Sequence, residues 1–309
     1  MAKNRASWSK RDVISILDFS REELELLFEE TDKFVTQEKA PNTLSEKIVA
    51  TAFFEPSTRT RLSFSVAALR LGAKVIDLSP DVSSLLKGES FADTISMLEG
   101  YADLIVLRHP SEGAALFAAE LCEKPVINGG DGSQHHPTQA MLDIYTVSRT
   151  LGQIDGLVYA VVGDLKYSRT ASSLLYALTK FKPKMVHLVS PEALALRKEV
   201  YQRLKEVSLP MEVHSSIEEV ISQVDVIYLT RIQKERFADP DEYKRLKGSY
   251  VITKSLLEKS HAIVLHPLPR LEELPYEVDR TPNAAYIKQA HWGVPLRMAL
   301  LNLILGDSQ

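Results

Sequence analysis

Arginines, hydroxyls and histidines gather here in short runs whose residue types suit holding an anion or polarising a carbonyl. The run Glu55-Pro56-Ser57-Thr58-Arg59-Thr60-Arg61 packs hydroxyls and guanidiniums side by side. At the start of a helix, unpaired backbone N–H groups and the positive dipole end favour an anion, and hydroxyls with a guanidinium add charge-assisted bonds to a phosphate. A plainer reading stands beside this one: Ser57 caps the helix and the arginines are solvated. Arg108-His109-Pro110 supplies a further guanidinium for the same anion. His136 and Gln139 stand three apart at a helix start and share a face, where an imidazole donor and an amide can hold a carbonyl and its amino group. A structural histidine accounts for His136 equally well.

The second half repeats the pattern. Gly163-Asp164-Leu165-Lys166-Tyr167-Ser168-Arg169-Thr170 and Thr230-Arg231-Ile232-Gln233-Lys234-Glu235-Arg236 each bring an arginine suited to planar, bidentate carboxylate recognition, so Arg169 and Arg231 are candidates for two carboxylates of a second substrate. Lys234 to Arg236 read equally as a solvated face. In His266-Pro267-Leu268-Pro269-Arg270 the two prolines remove donors and leave carbonyls, a loop that can accept hydrogen bonds from an amine.

These runs matter only if elements deliver them to a common edge. Ser20 with Glu23 forms a capping-box pattern ahead of Leu24, Leu27, Phe28 and Phe34 at helical spacing, which predicts a first helix. Short apolar runs then predict strands at 48–54, 74–78, 103–107 and 125–127, with helices carrying Leu62, Ala67 and Leu69, from Phe91, and from Glu112. A glycine-rich turn is expected after Asn128, and Pro137 opens a helix to about Thr150. Further strands fall at 157–162, 185–189, 211–214, 224–229 and 262–265, and Met298–Leu305 lies in a last apolar helix. This βαβα order predicts an α/β protein of parallel sheets flanked by helices. Ligands in such sheets bind beyond the carboxyl ends of strands, where several of the runs above fall.

A chain of 309 residues suits two domains, each with its own core and a cleft between them. Residues 1–136, completed by a C-terminal helix at about 291–309, are expected to form one domain; residues 137–290, beginning with a linking helix at 137–150, form the other. The formal net charge of −4 argues against a general nucleic-acid binder, so cationic sites must be local. Cys122 is the single cysteine, which rules out an intrachain disulfide; with no signal segment and no apolar run long enough to span a bilayer, this points to the cytoplasm. The Gly163 turn lacks the second glycine of a P-loop, and no G-x-G-x-x-G follows a strand. His109, His135, His136 and His266 lack the carboxylate or thiolate company of a metal motif, and Cys122 has no evident base. No metal, cofactor or covalent intermediate is expected.

Ser57-Thr58-Arg59-Thr60-Arg61, His136-Pro137-Thr138-Gln139 and His266-Pro267-Leu268-Pro269-Arg270, in this order and spacing, resemble the aspartate/ornithine carbamoyltransferase family over essentially the whole chain. The first string is similar to that family's carbamoyl-phosphate signature. Thr230 to Arg236 is similar to its aspartate-binding loop, while the Ser-Met-Gly loop and the cysteine of the ornithine enzymes are missing, Pro267 standing in the cysteine's place. The resemblance implies carbamoyl transfer from carbamoyl phosphate to L-aspartate, an early committed step of de novo pyrimidine (UMP) biosynthesis, with the active site in the interdomain cleft. It implies that Ser57, Thr58, Arg59 and Thr60 hold the phosphate with help from Arg108, that Arg108, Thr60 and His136 meet the carbonyl oxygen, and that Gln139 orients the carbamoyl nitrogen. Arg169, Arg231 and Gln233 would grip the aspartate carboxylates, with Pro267, Leu268 and Pro269 lining the reacting groups. Lys87 and a serine before it, Ser83 in preference to Ser84, would be lent to the neighbouring subunit of a homotrimer. A regulatory subunit or a dihydroorotase are possible partners; an ornithine-type transcarbamoylase and a non-catalytic anion-binding module are the alternatives.

Overall fold

The computed structural model describes residues 5–36, 41–80, 83–233, 239–246 and 248–306. The chain divides into two compact units, Met1–Leu142 with His291–Gln309, and Asp143–Ala290. In chain order the first part holds α1 (Arg21–Thr36), β1 (Ile48–Phe53), α2 (Arg59–Arg70), β2 (Lys74–Leu78), α3 (Phe91–Tyr101), β3 (Leu104–His109), α4 (Ala114–Leu121), β4 (Val126–Asp131) and α5 (Pro137–Leu151). There follow β5 (Val158–Val162), α6 (Arg169–Leu178), β6 (Met185–Val189), α7 (Lys198–Glu206), β7 (Met211–His214), β8 (Val226–Leu229), α8 (Pro240–Leu246), α9 (Lys254–Leu257), β9 (Ile263–Leu265) and α10 (Tyr286–Leu305). The division falls inside α5, between Leu142 and Asp143, and again inside α10, which begins at Tyr286 rather than near residue 291.

The first sheet is four-stranded in the order β2-β1-β3-β4 and the second five-stranded in the order β7-β6-β5-β8-β9, with every pairing parallel. Each grows to one side and then reverses, so each has a switch point: between β1 and β3 in the first, between β5 and β8 in the second. At a switch point the loops leaving two adjacent strands diverge and leave a crevice for a ligand.

Strand alternation explains the cores. Ala50, Ala52, Ile105 and Leu107 pack on one face of the first sheet against Ile95, Leu98, Ala115 and Ala118 of α3 and α4. On the opposite face Val49, Thr51, Leu104 and Val106 are also fully buried, as a parallel sheet covered on both faces requires. In the second unit Val158, Ala160, Val162, Ile227, Leu229 and Val264 form one buried face with Ile217, Val220 and Ile221. Among the described residues no helix is long and apolar enough to cross a membrane.

The element boundaries differ from the sequence reading in instructive places. α2 buries Thr60, Phe64, Ala67 and Ala68, whereas Leu62 and Leu69, read as part of its apolar pattern, are 52% and 60% exposed. The turn expected after Asn128 falls at residues 132–134; β4 first continues through Gly129 and Gly130 to Asp131, because the Asn128 side chain accepts the Gly130 N–H at 2.8 Å and the register shifts by a bulge opposite β3. The loop before α3 contains a 3₁₀ turn, Ser84–Lys87, which the polar composition of this stretch does not signal.

The capping box is formed reciprocally: Glu23 N–H donates to Ser20 Oγ at 3.2 Å and Ser20 N–H to Glu23 Oε2 at 2.9 Å. Ser20→Ala removes one half of it, and a loss of about 1 kcal/mol is expected in urea denaturation of the first unit.

Candidate functional site

In the first unit the site grows from the switch point. Ser57 and Thr58 follow β1 and α2 opens at Arg59; the N-cap position falls on Thr58 rather than on Ser57, the cap expected in the plainer reading, and the Thr58 side chain makes no capping bond. Arg59 is exposed and Thr60 is buried. Arg108 lies beside Phe53 in the β1–β3 register, and its Nε donates to Glu55 Oε1 at 2.7 Å while Nη1 points at Gly129 O at 3.4 Å. Both side chains of this ion pair are only 16% exposed, so the carboxylate fixes the guanidinium plane in a half-dry setting where charge-assisted bonds are strong.

Gly129 is the meeting point. A Cβ there would stand 3.2 Å from Leu107 O, 3.5 Å from Phe53 Cζ and 3.6 Å from Thr60 Cγ2. The lack of a side chain therefore lets β4 approach Thr60 and Arg108 together. Two residues on, Asp131 ties down the turn toward His136: its Oδ1 accepts from Asn128 Nδ2 at 2.9 Å and His135 N–H at 3.1 Å, and its Oδ2 from Gly113 N–H at 2.9 Å. His136 and Gln139 are buried at the start of α5, where the His136 carbonyl accepts the Gln139 N–H at 3.1 Å. His109 has structural contacts: its ring lies tilted against Phe54 and edge-on to Phe91, its Nδ1 accepts the Ser111 N–H at 3.0 Å, and burial pushes its pKa down. Cys122 shows the same burial effect with the opposite sign, its thiol pKa pushed up, away from the thiolate.

Lys87 is exposed at the end of its 3₁₀ turn. The Ser83 hydroxyl caps that turn, accepting the Leu85 N–H at 3.3 Å and donating to Pro80 O at 3.0 Å.

In the second unit Asp164 organises the switch point. Its Oδ1 accepts the Tyr167 N–H at 2.9 Å and its Oδ2 the Gln233 N–H at 3.4 Å, so one carboxylate draws the loop after β5 and the loop after β8 together. Gly163 permits the approach, with φ of 108° and room for no Cβ, which would fall 2.3 Å from Thr230 O. Arg169 is buried as the first residue of α6, behind the Ser168 cap, and Arg231 and Gln233 are half-buried. Lys234, Glu235 and Arg236 lie outside the described residues. A cavity of about 300 Å³ opens beside these loops, lined among others by Gly163, Thr230, Ile232, Glu272 and Glu273, a size that admits a small molecule.

The loop of Pro267, Leu268 and Pro269 has a cis bond between Leu268 and Pro269, and Leu268 has φ of 59°. Buried His266 supports it: Nδ1 accepts the Leu268 N–H at 2.8 Å, which leaves Nε2 as the donor to Glu273 Oε1 at 3.0 Å. Burial alone would raise the Glu273 pKa, but the His266 donor and the Leu271 N–H outweigh it and hold it below the usual range. Arg270 turns away from the loop carbonyls to a two-bonded pair with Asp279.

Glu55, Asp131, Asp164 and Glu273 brace the candidate loops, and pattern reading did not single them out. Glu55 and Asp164 were legible in kind, as acids inside the runs that follow β1 and β5. Glu273 was not, because only the folded-back chain brings it to His266.

Two parallel sheets with arginine-bearing loops at both switch points define an α/β enzyme built to hold small anionic molecules. Two family models cover the chain: the carbamoyl-P binding domain of aspartate/ornithine carbamoyltransferase over residues 11–149, and its Asp/Orn binding domain over residues 155–304. The chain belongs to the aspartate/ornithine carbamoyltransferase family. It is 56% identical to the aspartate carbamoyltransferase catalytic subunit of Thermofilum pendens, over 96% of this chain and 95% of that one, and 57% identical to that of Hyperthermus butylicus, over 97% and 98%. Among solved structures, the aspartate transcarbamoylase of Trypanosoma cruzi in complex with carbamoyl phosphate and aspartate superposes with a TM-score of 0.94 at 36% identity, covering 97% of this chain and 98% of that one. The catalytic subunit of the M. jannaschii enzyme gives 0.86 at 47% identity, covering 95% and 97%.

Burial pushes the Asp164 pKa up to about 6 against its N–H donors. An acid with a raised folded pKa keeps its proton longer than the unfolded chain does, so its contribution to stability is full below about pH 4 and declines as pH rises to about 6. Relative to wild type, Asp164→Asn is therefore expected to gain stability across that interval and level off above it, measured as urea midpoints from pH 4 to pH 7.

Proposed function

We infer that this chain transfers the carbamoyl group of carbamoyl phosphate to the α-amino group of L-aspartate, giving N-carbamoyl-L-aspartate and phosphate. The choice of acceptor is carried by the Thr230–Gln233 loop, which Asp164 anchors at the second switch point with Arg231 in it. A guanidinium there suits a dicarboxylate, and an ornithine side chain would meet like charge. The names of the relatives support the same acceptor.

In this reading Ser57, Thr58, Arg59 and Thr60 cradle the phosphate at the N-terminus of α2, where the helix end and the guanidinium both favour an anion. Arg108, aimed by Glu55, reaches phosphate and carbonyl oxygen; Thr60 and His136 polarise that oxygen, and Gln139 orients the carbamoyl nitrogen. Arg169, Arg231 and Gln233 hold the aspartate carboxylates, and the carbonyls of Pro267, Leu268 and Pro269 line the reacting groups. The uncharged amine bonds to the carbamoyl carbon, the carbon–oxygen bond to phosphate breaks, and the proton shed by the amine ends on the departing phosphate. Fixed donors meet the developing oxyanion without reorganising, so no step calls on a metal or cofactor.

Lys87 and Ser83 are read as residues lent to a neighbouring copy in a homotrimer. The exposed stripe of Leu62, Val66 and Leu69 on α2, at 52%, 36% and 60%, supports burial of that face by a partner. The catalytic-subunit names of the relatives are compatible with further subunits, a regulatory chain or a dihydroorotase among them. The reaction is an early committed step of pyrimidine synthesis, and we place it in the cytoplasm, with which a single unpaired cysteine, Cys122, is in keeping.

Purified protein is expected to release phosphate from carbamoyl phosphate with aspartate and not with ornithine. Arg59→Ala should lower kcat/KM by about 100-fold or more, as loss of a transition-state donor does. Glu55→Gln leaves Arg108 in place but unaimed, and about a tenfold loss in kcat/KM is expected. Release with ornithine alone would move the chain to the other branch of the family; phosphate binding with no release to any amino acid would favour a non-catalytic module.

A further inference from the structure

Three side chains far from both switch-point runs in sequence make a cluster of a different kind. β7 is the edge strand of the second sheet and pairs with β6 so that His187 lies opposite Glu212 and Val189 opposite His214. Pairing and alternation put His187, Glu212 and His214 on one face, the face that buries Ala160 opposite His187. Among the described residues this is the one group of histidines and carboxylates whose ligand atoms all lie within 4.8 Å of one another.

The distances have the scale of a coordination shell. His187 Nδ1 and His214 Nε2 are 3.0 Å apart, and a single carboxylate oxygen, Glu212 Oε2, faces both, at 3.7 Å and 3.6 Å. These separations admit a point about 2.0 Å from all three atoms, the length of zinc–nitrogen and zinc–oxygen bonds. An ion slightly out of the ligand plane then has three protein ligands and one open position toward solvent, where Glu212 is half-exposed.

An independent feature points the same way. His214 Nδ1 bonds to Glu219 Oε2 at 3.0 Å, which sets the tautomer and leaves Nε2 as the lone-pair nitrogen facing His187 and Glu212. Glu219 is itself fixed, its Oε1 accepting from Ser215 Oγ at 3.2 Å and from Ser216 N–H at 3.1 Å. A carboxylate holding the far nitrogen of a histidine is the outer-shell arrangement that orients metal-ligating imidazoles and makes them better bases.

We propose that His187, Glu212 and His214 form a site for a borderline divalent ion such as zinc at the edge of the second sheet, with Glu219 orienting His214. Two imidazoles and one carboxylate suit zinc, cobalt or nickel and disfavour magnesium and calcium, which take oxygen shells. The ion clips β7 to β6 and plays no part in carbamoyl transfer. Binding requires His187 to carry its proton on Nε2, a change of tautomer within the neutral ring.

The test uses the untagged full chain, stripped with chelator and titrated with zinc alone against a chromogenic competitor. One zinc per chain is expected, with a Kd tighter than about 10 μM, and thermal stabilisation that grows with free zinc. Cobalt in its place should give the intense visible band of a four-coordinate site. His214→Ala should weaken binding by about 100-fold and Glu219→Gln by about tenfold, with aspartate carbamoylation unchanged when zinc is withheld. Should His214→Ala fail to fold, judged by circular dichroism, Glu212→Gln at its exposed position serves instead. A wild-type Kd weaker than that limit, or equal affinity in folded wild type and variants, overturns the proposal.

Discussion

A parallel sheet that grows to one side and then to the other cannot close the space where it reverses, and this chain does so twice. β1 and β3 diverge at their ends in the first unit, β5 and β8 in the second, and the runs rich in hydroxyls and arginines leave from those strands. Strand order therefore decides where an anion can be held before any side chain is chosen. The apolar runs that make the sheets and the polar runs that follow them are parts of a single arrangement.

Holding cations ready in such a crevice needs counter-groups that are not themselves ligands for the substrate. Glu55 aims Arg108, Asp131 fixes the turn leading to His136, Asp164 joins two loops, and Glu273 supports the proline loop through His266. Their costs differ with burial. Asp164 accepts backbone N–H groups and still has its pKa pushed up to about 6, whereas Glu273, with a histidine donor, stays below the usual range. The site is thus a balance of buried acids against backbone donors, with arginines added on top.

Much of this could be read from the residues. β6, β7 and the Ser20 capping box fall where periodicity and cap chemistry put them, because nothing tertiary competes there. The runs after β1, β5 and β8 stand out in composition as candidate anion sites, although a helix cap or a solvated face accounts for part of each. Other features depend on contacts that no local window contains. Gly129 and Gly130 read as a turn until Asn128 and β3 are seen to keep them in the ladder. Leu62 and Leu69 read as core until α2 is placed with Phe64 and Ala67 inward. His187 and His214 are 27 positions apart, so their juxtaposition is a fact of strand register and not of spacing.

The chain passes from the first unit to the second inside α5 and returns inside α10. The returning segment is no ornament: Leu296, Leu300, Leu301 and Ile304 are buried, Lys10 N–H donates to Ile304 O at 3.0 Å, and Thr43 Oγ1 donates to Asn302 Oδ1 at 2.8 Å. A ribosome therefore finishes the second unit, which is one continuous stretch, before it has delivered the last piece of the first. Until then the first unit lacks the helix that bonds to Lys10 and Thr43 and sets Arg297 over Phe64 of α2, so the unit begun first is the one completed last.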